Sequence, residues 1–454
     1  MRSFLTILIL LVNLVVEAQN PTAAPGRQMV FSEVNVVSMR TGKILERQTV
    51  VTSGGRIRAI GSRYRIKYDS NAIVLQAEGK YLLPGLAEMH AHVPPTENLE
   101  SIKEVLMLFA LNGITTIRGM LGHPSHLTVR EQIIKGDILA PRLYTSGPSF
   151  NGMSVKSPEE GAAMVRRQKE AGYDYLKLHP GLTREKFDAI AAAAHEVNIP
   201  FVGHVSSGVG VWHAIESGYS SIDHLDGFVE GLIAGSERMP DQEVGLFGMY
   251  AADKVDRSRI SRLMQALREK KVWVVPTQAL AERWFNPEYA SEDFQQDPHK
   301  KYMSSEITKQ WISSKQNLAS SPQYDEQELK DFIKLRRELI LACQKNGVGL
   351  LLGCDAPQIF NVPGFSTHQE LEYLVLAGLT PYEALKTGTL NVAEYLGRKD
   401  SGVIEVGAVS DLILLDGNPL EDISNTRKIS GVLLGDIWMD AAYINAQLRR
   451  LEKQ

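Results

Sequence analysis

Cysteine is scarce. Only Cys343 and Cys354 occur among 454 residues, which is too few for a disulfide framework. Cys343 falls in a helical stretch and Cys354 at the end of an apolar strand, so both are expected as buried thiols packing like small hydrophobes. An excess of basic charge is also missing. Lys plus Arg number 49 against 53 for Asp plus Glu, a formal net charge of −4, which leaves no footprint for nucleic acid. Internal repeats and low-complexity tracts are absent. Beyond the first residues no apolar run approaches the roughly 20 residues of a membrane span. The remaining composition is ordinary for a soluble globular protein, with 44% hydrophobic and 22% charged residues, and the chain is long enough for one large domain plus an accessory one.

The first eighteen residues read as a leader. Arg2 precedes an apolar run from Phe4 to Val16, and Val16-Glu17-Ala18 has the small-x-small form of a cleavage site. Residues 1–18 are therefore expected to be a secretory signal peptide, with cleavage near Ala18 and a secreted or periplasmic destination.

Both flanks of the chain read as short strands. Met29–Ser38, Gln48–Thr52, Arg56–Ile60 and Ala72–Gln76 are separated by turns such as Ser53-Gly54-Gly55. Asp411–Asp416 and Gly431–Met439 are similar. Residues 28–81 and 400–454 are expected to fold together as a small β-sandwich domain. Between them, over 82–399, strands alternate with helices. The strands are Tyr81–His92, Ile114–Gly119, Arg142–Ser146, Tyr173–His179, Pro200–Val205, Ser221–Leu225, Val272–Thr277 and Gly349–Asp355; helices such as Glu159–Ala171, Arg184–Val197 and Ser258–Lys270 separate them. Eight such units predict an α/β fold, a (β/α)8 TIM barrel; pattern alone leaves a doubly wound open sheet as the alternative. The aromatic-rich stretch from Glu282 to Glu326 breaks the rhythm. It reads either as a lid over the active face or as a helical surface insertion.

The chemistry concentrates at strand ends. Leu83-Pro84-Gly85-Leu86-Ala87-Glu88-Met89-His90-Ala91-His92 places two histidines two apart, so both imidazoles leave the strand on one side and can chelate one metal. Lys177 lies within a strand. Burial there lowers an amine's pKa, and a neutral amine takes up CO2 as a carbamate whose two oxygens can bridge two metals. His204, His224 and Asp355 end three further strands. On a barrel all these ends open onto one face.

The set resembles the amidohydrolase superfamily over nearly the whole chain after the leader. His90 and His92 match its first-strand pair, Lys177 its carboxylated lysine, His204 and His224 the histidines of strands five and six, and Asp355 its strand-eight aspartate. The run Thr367-His368-Gln369-Glu370-Leu371 with Ala377-Gly378-Leu379-Thr380-Pro381 is similar to the imidazolonepropionase-like branch, which includes Xaa-Pro and Xaa-Arg dipeptidases. Lys177 argues against imidazolonepropionase activity itself. The resemblance implies two divalent metal ions, with Zn2+ suited to the nitrogen and oxygen ligands. It also implies a carboxylated Lys177 and a metal-bridging hydroxide, with Asp355 as metal ligand, general base and then acid. The implied substrate is a small molecule, a dipeptide or an N-acyl amino acid, and the enzyme can be a homo-oligomer. Alternatives are a hydrolase of cyclic amides, lactones or phosphoesters on the same binuclear site, or a non-catalytic binding protein with a vestigial barrel. Arg118, His123 and His368 are candidates for substrate binding. Gly119 stands where many relatives carry an aspartate after the arginine.

Overall fold

The computed structural model describes residues 21–23, 26–236, 239 and 241–453. The expected leader at 1–18 lies outside the described residues. No helix among the described residues is long and apolar enough to cross a membrane.

The β-branched flanks meet in one nine-stranded sheet. The N-terminal side supplies β1 (Thr22–Ala23), β2 (Met29–Ser38), β3 (Lys43–Ser53), β4 (Arg56–Ser62), β5 (Ile73–Gln76) and β6 (Tyr81–Pro84). Strands β7 (Leu86–Ala91), β8 (Ile114–Gly119), β9 (Arg142–Thr145), β10 (Leu176–Leu178), β11 (Phe201–Gly203), β12 (Ser221–Asp223) and β13 (Trp273–Val275) follow. The C-terminal side returns β14 (Leu412–Leu415), β15 (Ile429–Leu434) and β16 (Ile437–Asp440). The sheet runs β1-β16-β15-β14-β6-β2-β3-β4, with β5 on β2. Its central seam is antiparallel pairing of β14 with β6, from Leu412 opposite Pro84 to Leu415 opposite Tyr81. Phe31 and Trp438, from opposite ends of the chain, meet edge to face at 5.5 Å in its apolar core.

The single strand expected over Tyr81–His92 is two strands in two sheets. Strand β6 joins the flanking sheet, while β7 pairs in parallel with β8. Gly85 makes the transition possible, because a Cβ there would lie 2.1 Å from Thr115 Oγ1. Strands β7-β8-β9 form one parallel sheet and β10-β11-β12-β13 another. Parallel bridges Ser146–Tyr175 and Phe150–Leu178 connect them. Beyond β13, Leu351 N donates to Val274 O, and Met89 N in β7 donates to Leu352 O.

The eighth expected strand, Gly349–Asp355, makes one parallel bridge, Leu350 to Val274, rather than a ladder. The physical reason is a side chain: Glu88 Oε1 accepts the Cys354 N–H at 2.9 Å, where a neighbouring strand's carbonyl would stand. Both cysteines are free and buried, and Cys354 Sγ donates to Glu88 Oε2 at 3.1 Å.

Helices follow the strands with side-chain caps. Ser157 caps Pro158–Ala171, Thr183 caps Arg184–Val197, and Asp325 caps Glu326–Lys345, each satisfying an orphan N–H of the first turn. The aromatic insertion is helical, with segments Gln278–Trp284, Ser291–Gln296 and Ser305–Ala319. Its rings pack among themselves and on the segment after Asp355: Phe294 lies 5.5 Å from Trp311 and 4.9 Å from Phe360, and Tyr302 stacks on Phe365 at 5.0 Å.

Candidate active site

Alternation along β7 turns Glu88, His90 and the following His92 to one side. His92 Nε2 lies 2.8 Å from Asp355 Oδ1, and His90 Nε2 lies 3.5 Å from the same oxygen. Ligand atoms of His90, His92 and Asp355 all fall within 4.8 Å of one another. Asp355 Oδ1 is buried without a hydrogen-bond partner, so its approach to His92 is close but off the line of a hydrogen bond. A buried carboxylate oxygen left unsatisfied is costly. Two imidazole nitrogens converging on it form a donor set that fits a divalent cation.

Lys177, His204 and His224 extend the cluster. The Lys177 ammonium is wholly buried, 3.5 Å from His90 Nε2 and 3.9 Å from Asp223 Oδ2. Loss of solvation brings its pKa down to about 8. The neighbouring strand leaves room for it: a Cβ on Gly203, at φ +117°, would lie 2.8 Å from Lys177 Cδ and 2.5 Å from Leu178 O. The His224 ring is 4.5 Å from both His90 and His204.

Three of the four histidines have a partner behind the ring. His204 Nδ1 is 3.0 Å from Asp226 Oδ2, His224 Nδ1 is 2.8 Å from Thr277 Oγ1, and His90 Nδ1 is 2.9 Å from Asp223 Oδ2. The last contact is close in distance but lacks hydrogen-bond alignment. These partners on Nδ1 leave Nε2 as the ligating nitrogen. Burial holds His90 and His224 well below the usual imidazole pKa and brings His204 down to about 3. The rings are therefore neutral, the form in which histidine binds metal. His224, Thr277 and Asp355 have φ of 65°, 48° and 67°. Three non-glycine residues in left-handed backbone at strand ends are strained, and such strain collects at functional sites.

Of the three residues considered for substrate binding, Arg118 and His368 are committed to partners within the protein. Arg118 is wholly buried and spends its nitrogens on Met89 O, Ser221 Oγ, the Tyr395 hydroxyl and Asp223. His368 is pinned at both nitrogens, by Thr426 Oγ1 at 3.0 Å and Asn112 O at 2.9 Å. His123 contacts Ser125 Oγ at 2.9 Å, with Glu97 at 3.8 Å. His179, two residues after Lys177, stacks on His204 at 5.0 Å.

Sequence reading passed over Glu88, Asp223, Asp226 and Thr277. Glu88 is wholly buried, accepts from the Cys354 and His90 amides and from Thr367 Oγ1, and is pushed up to about 7 by desolvation. The signal for it was present, since Glu88-x-His90-x-His92 puts all three on one side of a strand. Ser221-x-Asp223 likewise marked a polar face on β12; Asp226 and Thr277 carried no comparable signal.

A cavity of about 700 Å3 opens beside the cluster, among the loops after β10, β11 and β12 and the segment before residue 248. Asp226 and Phe247 belong to its wall. The Phe247 ring lies 5.1 Å from His224 and 5.9 Å from His204, nearly parallel to both. No residue of the 282–326 insertion lines it.

The chain is similar to several known proteins. An ochratoxinase of Aspergillus niger is 39% identical over 82 residues, covering 17% of this chain and 16% of that protein. The chain thus spans about a sixth of the length of the curated relatives it matches. Bottromycin amidohydrolase superposes with a TM-score of 0.71 at 21% identity, covering 96% of this chain and 92% of that one. A protein described as a putative prolidase, from Bifidobacterium longum, superposes with a TM-score of 0.68 at 22% identity, covering 95% and 100%. Residues 81–437 match the amidohydrolase family. The chain belongs to that family.

Proposed function

We propose that the protein is a metal-dependent amidohydrolase that cleaves the amide bond of a dipeptide or an N-acyl amino acid. In this reading the parallel strands close as a (β/α)8 barrel and the flanking sheet belongs to a β-sandwich domain. The observation that carries the reading is the convergence of His90, His92 and Asp355 on a buried, unsatisfied carboxylate oxygen. His90, His92, Asp355 and Lys177 would hold one divalent ion, Zn2+ by ligand type, and Lys177, His204 and His224 would hold a second. Ions bound there bring the pKa of water towards neutrality and polarise a carbonyl.

The chain's own groups do the rest. The buried Lys177 amine has a large neutral fraction near pH 8. Its nitrogen adds to the carbon of CO2 and loses one proton to solvent, giving the carbamate. Asp355 takes the proton of the attacking water as the new carbon–oxygen bond forms. It returns that proton to the leaving nitrogen as the carbon–nitrogen bond breaks. Asp226, Thr277 and Asp223 keep the three imidazoles oriented throughout. The expected leader makes this a secreted or periplasmic enzyme.

The test is metal content with and without the lysine. Protein produced with Zn2+ and bicarbonate should carry close to two metals per chain and hydrolyse members of a dipeptide and N-acyl amino acid panel. Lys177→Ala should lose metal and activity together. Equal metal content in both forms would remove the carbamate bridge, and no metal under any loading condition would overturn the enzyme mechanism.

A further inference from the structure

The cavity beside the metal-ligand cluster is too large and too apolar for the reacting amide alone. Its volume, about 700 Å3, lies within the range that takes a drug-sized ligand, and such pockets are mainly apolar with few polar groups. Val205, Val209, Val211, Trp212, Leu246 and Phe247 supply its apolar wall. The wall also holds polar residues, Ser207, Glu230 and Ser236 among them, and four others are committed to the protein. Ser206 Oγ accepts from Leu182 N, His213 Nε2 pairs with Asp188, Asp226 holds His204, and Arg184 donates to Val209 O.

Phe247 ties this cavity to the reaction site. It lines the cavity while its ring lies against the two histidines His204 and His224. Its φ of 59° is left-handed, a costly backbone for a bulky side chain. Its ring thus borders both the cavity and the histidines of the cluster.

We propose that the cavity is the specificity pocket of the enzyme and receives a bulky apolar substituent, aromatic or long-chain, attached to one side of the scissile amide. The substrate class is therefore an amide carrying a large hydrophobic group rather than a small polar dipeptide. This inference rests on the amidohydrolase reading above, and two separate readouts keep their failures apart.

The first readout is kinetic. Zinc-loaded enzyme is assayed with acetylglycine, 4-phenylbutanoylglycine and acetylphenylalanine. The better of the two bulky amides should exceed acetylglycine in kcat/KM by roughly a hundredfold, the scale on which an apolar pocket discriminates. Leu246 lines the cavity and is 38% exposed, so the fold accommodates its replacement. Leu246→Trp, which fills space, and Leu246→Asp, which adds a charge, should each reduce that preference at least tenfold. The second readout is calorimetric binding of 4-phenyl-1-butanol, a probe with no amide and no acid, to the full chain. Its affinity should fall in both variants. If no amide is hydrolysed but the probe binds in a Leu246-dependent way, the catalytic reading fails and the apolar pocket stands. Equal kcat/KM for small and bulky amides, with probe binding indifferent to Leu246, would overturn the specificity pocket.

Discussion

Arg118 and Asp223 face each other in complete burial, with Nη2 at 3.2 Å from Oδ1. Asp223 also stands 2.9 Å from His90 Nδ1 and 3.9 Å from Lys177 Nζ. One carboxylate thus joins a structural cation to the floor of the candidate metal site.

Removing one partner of that pair leaves a buried charge uncompensated. Arg118→Met should destabilise the protein by about 3–5 kcal/mol, read by urea unfolding. The double variant Arg118→Met/Asp223→Leu should lose less than the sum of the two single variants, because neither charge is then stranded. Additive losses would contradict the pairing.

Gly203 is required by its neighbours as well as by its backbone. A methyl group there meets Leu178 O and Lys177 Cδ, at a φ of +117°. Gly203→Ala should destabilise the fold by about 1–3 kcal/mol from strain. It should also lower metal occupancy by displacing Lys177. Calorimetric unfolding and metal analysis on one preparation check both effects.

The residues behind the histidines should set metal affinity without touching metal. Asp226→Ala frees His204 Nδ1, and Thr277→Val frees His224 Nδ1. Each should weaken metal binding about 10–100-fold, measured by competition with a chromogenic chelator. Unchanged affinity would mean that these contacts do not orient the rings.

Glu370 supplies a pH signature. Burial pushes its carboxyl up to about 8, although it accepts the Gln278 and Ala279 amides. Between the ordinary carboxyl pKa and about 8 the folded protein holds a proton that the unfolded chain releases. Its contribution is therefore complete at acid pH and is lost as pH rises through about 8. Stability of the wild type relative to Glu370→Gln should fall from pH 5 to pH 9. A difference independent of pH would refute the shift.

Much of this protein is legible before any coordinates. Helices expected over Glu159–Ala171 and Arg184–Val197 are present as Pro158–Ala171 and Arg184–Val197, capped by Ser157 and Thr183. Strands β2, β8 and β9 likewise lie within the expected segments Met29–Ser38, Ile114–Gly119 and Arg142–Ser146. Errors arise where one segment serves two neighbours. Tyr81–His92 reads as a single strand because its apolar character is continuous, yet Gly85 lets it leave one sheet for another. Gly349–Asp355 reads as a ladder strand, yet a glutamate side chain takes an amide that a ladder would have used.

The same division holds within the site. Spacing and strand position by themselves determined which residue types gather at the strand ends: His90, His92, Lys177, His204, His224 and Asp355. Local alternation decides which side of a strand a residue leaves, and that information is present in any few consecutive residues. Tertiary structure alone decided what each side chain meets. It turned Arg118 inward onto Asp223, 105 residues away, and pinned His368 between Thr426 and Asn112. It also opened an apolar cavity beside the histidines. Partners of a buried charge come from distant strands, and no local pattern encodes which strand will be its neighbour.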